Sequence, residues 1–451
     1  MYLSELVPLP WRILKAWERV SLNRPRWIAP CDRVVIRDGA VKARVVALGD
    51  VALVRRRADT VAGRFDGVKS LLEEADIRVA NLEAVVTSRC QAALKVAAAM
   101  RAEPDASDSL TAAGFDVVSA ANNHALDYGP EGLADSLELL CARGIEVCGV
   151  EGKSGHPPCV TRTVKSIKIG FLGFCDDINA AAATGVLPRP CLWSPEAATA
   201  IVAARREVDV LIVQMHWGYE FSLHPLRRHR DQARRAVDLG AHAVICHHAH
   251  VPQGVEIWEG CPIVYGLGNG FMPMSSYMID GHPWADRSIA LEMGLVENGI
   301  AFIRLHPLRL KRDGSPVLLG GDDKRALLAG VAQMSARLRD ETFLGRCERA
   351  RLVYETVRLV AVLQEAAIQG REVLEERVAA LELPRQQSLI EFLAAHPRTF
   401  SLAAALRAIT AARRTGNLPA VLQDQTLEFR SALDTVRELY QWRYALRARV
   451  P

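Results

Sequence analysis

Ala243-Val244-Ile245-Cys246 runs directly into His247-His248-Ala249-His250. A short apolar run of this kind reads as a buried strand, and this one ends in three of the twelve histidines of the chain. An H-x-H pair at a strand end places two imidazoles close together, where they suit a borderline cation. The same pattern repeats upstream. Asp209-Val210-Leu211-Ile212-Val213-Gln214-Met215 reads as a strand ending in His216. Residues 115–120 form a run ending in Asn122-Asn123-His124, residues 77–80 one ending in Asn81-Leu82-Glu83, and residues 44–48 one ending in Gly49-Asp50. Helical stretches at 68–75, 133–142, 197–207 and 227–239 separate them, and 145–149 and 164–174 add further strands. Strands alternating with helices predict an α/β layered domain with a parallel or mixed sheet.

In such sheets, ligand sites form beyond the carboxyl ends of the strands. Asp50, Glu83, Asn123, His216, His248 and His250 therefore stand as candidate metal ligands. Their mix of carboxylate, amide oxygen and imidazole suits divalent Mn, Fe or Zn. Two cations sharing a bridging carboxylate use about six or seven protein ligands, and this set supplies six. Each residue has a plainer reading when taken alone. Asp50 reads as a turn or cap, Glu83 as a helix-start carboxylate, the Asn-Asn-His run as turn chemistry and His216 as a core histidine. His156, His224, His229, His242, His282, His306 and His396 lack such company and read as surface or structural. His224 and His229 follow His216 closely enough to reach a substrate.

The chain has 451 residues, half of them apolar and 24% charged, which excludes disorder over most of its length. Residues 1–42 read as an irregular leader or strap, 43–310 as the α/β domain and 311–323 as a linker rich in turn signals. Residues 324–451 read as an α-helical region of four to six helices. The ten cysteines are scattered with no CxxC pair, so neither a zinc knuckle nor a disulfide framework is indicated. No signal peptide is read at the N-terminus, because Glu5, Arg12, Lys15, Glu18 and Arg19 interrupt it. The charge-free stretch 260–279 contains four glycines and two prolines and reads as strand and loop, not as a membrane span. A cytoplasmic protein is expected. The net charge of +4 hides an excess of about six positive charges after residue 324. With no aromatic-plus-basic motif, nucleic acid is not an expected partner.

Six strings occur in the order of a known family: Leu48-Gly49-Asp50-Val51, Ala80-Asn81-Leu82-Glu83, Ala121 to Gly129, His216-Trp217-Gly218-Tyr219-Glu220, His247 to Val251, and Gly266-Leu267-Gly268-Asn269. Over about residues 44–310 the chain resembles the CapA-type proteins of poly-γ-glutamate capsule synthesis, whose fold is similar to the calcineurin-like metallophosphoesterases. The resemblance implies a layered metallophosphatase-like sandwich. It places Asp50 and His250 at a first metal site, Glu83 as a bridging carboxylate, and Asn123, His216 and His248 at a second. It makes His124 the proton donor or a substrate-polarising imidazole, with Asp127 either orienting it or capping the helix that follows. The family's usual Gly-His-His-Pro-His has Cys246 and Ala249 here, and its Ser-Leu-Gly-Asn-Phe has Gly266 and Gly270. Ala52 stands where true phosphoesterases carry a histidine.

The function expected from this reading is a metal-dependent hydrolase or transferase with two divalent ions. It would act on a phosphoester or on a γ-glutamyl or similar amide, and so on a small-molecule or peptide-like acidic substrate. The competing reading is a non-catalytic metal-binding assembly protein of a biosynthetic complex. In either case the C-terminal helices, with Arg337, Arg339, Arg346, Arg349 and Arg351 near their start, are expected to serve a homo-oligomer or a biosynthetic partner.

Overall fold

The computed structural model describes residues 32–54, 63–93, 99–151, 158–176, 187–275, 278–279, 282, 284–345, 347 and 366–379. The chain divides into two units, one of Val20–Ala93 with Ala97–Cys347 and one of Met1–Arg19, Leu94–Val96 and Glu348–Pro451. In the second unit the described residues are 366–379, which include the helix Arg371–Ala379.

Among the described residues the first unit holds two large mixed sheets and two two-stranded ones. In chain order the strands are β1 (Arg33–Val35), β2 (Ala43–Val51), β3 (Ile77–Leu82), β4 (Val85–Val86), β5 (Arg101–Ala102), β6 (Val117–Ser119), β7 (Glu146–Cys148), β8 (Val150–Glu151), β9 (Val160–Val164) and β10 (Ile167–Cys175). They continue as β11 (Arg189–Pro190), β12 (Val210–His216), β13 (Ala243–His247), β14 (Val255–Trp258), β15 (Cys261–Val264), β16 (Asn269–Phe271), β17 (Arg287–Val296), β18 (Gly299–Leu310) and β19 (Pro316–Leu318). One sheet runs β1-β18-β17-β2-β3-β6-β7, with β16 also paired to β2 and β19 to β18; the other runs β14-β15-β13-β12-β10-β9. The pairs β2/β3, β3/β6, β6/β7, β10/β12 and β12/β13 are all parallel. The expected layered α/β sandwich is therefore present. Its strand ends lie where a parallel sheet puts them, along one edge of each sheet.

Burial explains why the central strands read as unbroken apolar runs. Every residue of β12 and β13 is buried, as is every residue of β2 except Arg44. Strands covered on both faces lose the polar–apolar alternation of half-exposed ones. The helices cover them with one face each. Gly129–Ala142 carries Pro130 in its first turn and buries Gly132, Leu133, Ser136 and Leu140, and Pro is pre-organised for that position. Arg227–Asp238 buries His229, Arg230, Ala233, Ala236 and Val237. The two sheets approach at glycine: a Cβ on Gly149 would lie 3.1 Å from Gly173 Cα, and one on Gly173 would lie 2.6 Å from Ser119 Oγ.

Three details differ from expectation. Residues 164–174 are not one strand; β9 and β10 form a hairpin that turns at Lys165 and Ser166, both with positive φ. That conformation suits the two-residue turns that match strand twist, but neither residue is the Gly or Asn that would have signalled it. The stretch 311–323 is no free linker. It contains β19, which pairs with β18, and the first residues of the helix Gly321–Arg337, which packs on β14 and β18. Within residues 1–42, Arg33–Val35 is a sheet strand paired to β18. Most of the expected helical region lies outside the described residues.

Candidate metal centre

The carboxyl ends of β2, β3 and β6, neighbours in the first sheet, deliver Asp50, Glu83, Asn123 and His124. The ends of β12 and β13, neighbours in the second, deliver His216, His248 and His250. The structure brings these ends together. Single ligand atoms of Asp50, Glu83 and His250 lie within 4.8 Å of one another, as do those of Glu83, His216 and His248. Glu83 belongs to both groups. Asn123 Oδ1 lies 2.8 Å from His216 Nε2. His124 Nε2 faces Glu83 Oε1 at 3.9 Å, and its Nδ1 lies 2.8 Å from Asp127 Oδ2. Asp127 also accepts a hydrogen bond from the Met100 backbone N–H.

Local backbone geometry makes the site. Gly49 precedes Asp50 because no side chain fits there: a Cβ would lie 1.8 Å from the Gly268 carbonyl oxygen, the same oxygen that accepts the Asp50 N–H at 3.0 Å. Two of the six motif strings are thus halves of one contact. His248 and His250 have φ values of 84° and 56°, a left-handed conformation uncommon outside glycine and concentrated at functional sites. It turns the chain after β13 so that the His248 backbone N–H donates to Asp50 Oδ2 at 3.0 Å.

The site is enclosed. Asp50 and Glu83 are buried, at 0% and 1% exposure, as are Asn123, His124 and Asp127. Burial pushes the Asp50 carboxyl up, but its contact with His250 and the charges of His250, His247 and His216 outweigh this and hold it below the usual range. Burial raises Glu83 well above the usual range; Asp50, Glu220 and Asp127 add to this, and only His250 opposes it. Burial also lowers His216, with His248 adding to it, and lowers His247 and His248. For His250, burial is outweighed by Glu83 and then Asp50, and its pKa is pushed up to about 10.

These observations test the fit of a cation. Both Glu83 oxygens are buried without a hydrogen-bond partner, as are His247 Nδ1 and His248 Nδ1. Buried polar atoms are almost always satisfied, and burying unpaired charge is costly. The unpartnered oxygens of Glu83 and the unpartnered Nδ1 of His248 belong to the two ligand groups and are what a divalent ion would satisfy, so the residues fit the group.

Several participants carried no signal of their own in the sequence. Asn81 Nδ2 lies 2.8 Å from Asp50 Oδ1 and 3.2 Å from His216 Nδ1, joining the two sheets. Asn122 donates to the Leu82 carbonyl at 2.8 Å and accepts from the His124 N–H at 3.0 Å. His247 Nδ1 lies 3.5 Å from Asp50 Oδ1. His229, read as structural or near substrate, is buried; its Nε2 lies 2.8 Å from Asp176 Oδ2, and its ring stacks on Trp217, the neighbour of His216. His282 is also buried and stacks on Phe221, whose ring packs against His250. Asn81 and Asn122 lie within quoted motifs, so motif membership was the one available signal. For Asp176 there was none.

Among known proteins, the chain is 34% identical over 163 residues to the PGA biosynthesis protein CapA of Bacillus subtilis (strain 168), covering 34% of this chain and 42% of that one. It is 29% identical over 212 residues to the capsule biosynthesis protein CapA of Bacillus anthracis, covering 45% and 50%. The matches thus span about half the length of these relatives or less. Among solved structures it is similar to a 5′-nucleotidase from Candida albicans SC5314, at 11% identity over 68% of this chain and 59% of that one, with a TM-score of 0.38. Residues 44–273, half of the chain, match the family described as bacterial capsule synthesis protein PGA_cap, and the chain belongs to that family.

Proposed function

We propose that this protein is a metal-dependent hydrolase or transferase of capsule-type polyglutamate biosynthesis, acting on an acidic substrate at a phosphoester or γ-glutamyl amide bond. The observation that carries this reading is Glu83: a fully buried carboxylate with no hydrogen-bond partner, shared by two groups of candidate ligands. Asp50 and His250 would hold one cation, and Asn123, His216 and His248 another, with Glu83 between them. When bound, such ions act as Lewis acids toward a phosphoryl or acyl oxygen and lower the pKa of a coordinated water.

The chain's own residues supply the rest. Asp127 accepts from Nδ1 of His124, so that in the protonated imidazolium Nε2, on the side of Glu83, can give its proton to a leaving group and the ring is left neutral with Nδ1–H. The buried walls around Asp50 and Glu83 exclude bulk water, so each charge acts at short range in a weakly polarisable medium. The names of the relatives, PGA biosynthesis protein and capsule biosynthesis protein, support the pathway. Association with a biosynthetic partner or a second copy through the C-terminal helices is part of the proposal. Among the described residues, no helix is long and apolar enough to cross a membrane.

The test is elemental mass spectrometry of the purified protein, followed by assays on bis(p-nitrophenyl) phosphate and L-γ-glutamyl-p-nitroanilide. The parent should carry Mn, Fe or Zn, and Asp50→Ala and His248→Ala should lose it. His124→Ala should keep the metal and lose roughly 10²–10⁴-fold in turnover. A folded parent that takes up no divalent ion after chelation and reloading would sink the proposal. Bound metal with no turnover of either substrate would favour the assembly role.

A further inference from the structure

Asn269 stands beside Asp50 in the pairing of β16 with β2 and is fully buried. It touches His250 at two points. Its Oδ1 lies 2.8 Å from His250 Nδ1, and its Nδ2 donates to the His250 carbonyl oxygen at 3.4 Å. The second contact orients the amide. With Nδ2 turned to a carbonyl, Oδ1 is the atom facing the ring, and an oxygen accepts only from a ring nitrogen that carries a proton. Nδ1 therefore carries a proton, and it is Nε2 that a cation would have to take. Nε2 is the nitrogen turned toward the centre, 3.4 Å from Glu83 Oε1. Asp50 Oδ2 also lies 3.4 Å from Nδ1, but it is engaged by the His248 N–H at 3.0 Å. Of the two acceptors, Asn269 is the one at full hydrogen-bond distance.

We propose that Asn269 is a positioning residue: it fixes the tautomer and direction of His250 so that Nε2 is presented to a divalent cation. The proposal rests on the metal-centre reading above and deepens it. The left-handed backbone of His250, with φ of 56°, gives the clamp a second purpose. A residue in that conformation persists only when its surroundings hold it, and the Asn269 amide grips both ring and backbone. The Gly-Leu-Gly-Asn string thereby acquires a role. Gly268 supplies the carbonyl that anchors Asp50, and the next residue anchors His250.

The test is Mn²⁺ titration of the chelated full-length protein by calorimetry, with folding monitored by circular dichroism. Asn269→Ala should weaken binding by about 10–100-fold, the usual cost of losing the partner of a metal-bound imidazole. Asn269→Asp keeps an acceptor oxygen and should bind within a few-fold of the parent or more tightly. Parent-like binding by Asn269→Ala overturns the proposal, as does a folded Asn269→Asp that binds as poorly as Asn269→Ala. If Asn269→Ala does not fold, Asn269→Ser, too short to reach the ring, takes its place with the same expectation. A folded parent that binds no Mn²⁺ removes the metal-centre reading itself, which separates that failure from failure of the clamp.

Discussion

At the scale of single residues, the site is held by side chains whose partners lie far away in sequence. Asn81 holds both Asp50, 31 positions away, and His216, 135 positions away, and the His248 N–H reaches Asp50 across 198. The smallest residue is the least replaceable. Gly49→Ala would drive a Cβ into the Gly268 carbonyl at 1.8 Å, with backbone on both sides and no flexible side chain to yield. Overpacking ordinarily costs about 1–3 kcal/mol, and this substitution should reach or exceed the upper end. Urea unfolding of Gly49→Ala beside the parent measures it, and equal midpoints would refute the close approach. Because Gly268 also anchors Asp50, the same variant should bind divalent metal more weakly.

At the scale of elements, the second sheet and the helix Arg227–Asp238 are joined by a half-buried polar knot. Glu256 on β14 accepts from Arg234 Nε and Nη2, both at 2.9 Å, and from the Tyr265 hydroxyl at 2.7 Å. Burial pushes Glu256 up, but the bonds to Arg234 and Tyr265 outweigh it and hold its pKa below the usual value of 4.5. A carboxylate depressed in the folded state contributes stability above its unfolded value, which is lost as pH falls. Glu256→Gln should cost about 2 kcal/mol at neutral pH, and the difference from the parent should shrink below about pH 4. Denaturant melts at both pH values read this, and a constant difference would exclude the charge as its source. The hairpin at Lys165-Ser166 belongs to this scale too: sequence pattern gave the strand character of both arms but not the turn between them.

At the scale of the whole molecule, two histidines outside the candidate metal centre should set the acid limit of stability. Burial pushes His224 and His242 down to about 4 from 6.5; Arg337 adds to the first effect, and Arg205 and Arg37 to the second. The unfolded chain therefore takes up these protons first as pH falls. Their contribution is complete above about pH 6.5 and is lost progressively toward pH 4, by up to about 3 kcal/mol each. His242 Nδ1 accepts the Leu211 N–H at 3.0 Å. His242→Asn retains an acceptor but cannot gain a charge, so its stability should fall less between pH 7 and pH 4.5. Identical slopes in the parent and the variant would rule this origin out.

Much of the fold and most of the candidate ligand set were legible in the sequence alone. Buried parallel strands demand apolar runs, and the ends of those runs are where polar side chains can leave the core, so Asp50, Glu83, Asn123, His216, His248 and His250 stood out by position. The family strings added order to that pattern. Only the tertiary structure decided which of these residues meet, because the two sheets that carry them are brought together by long-range packing that no local pattern encodes. It also showed that Gly49 and Gly268 share one contact, that Asn81 contacts Asp50 and His216 while Asn269 contacts His250, and that Asp176 and His229 form a pair beside His216. Hydrogen-bond partners are chosen by distances between strands in space, and a linear sequence does not contain those distances in readable form.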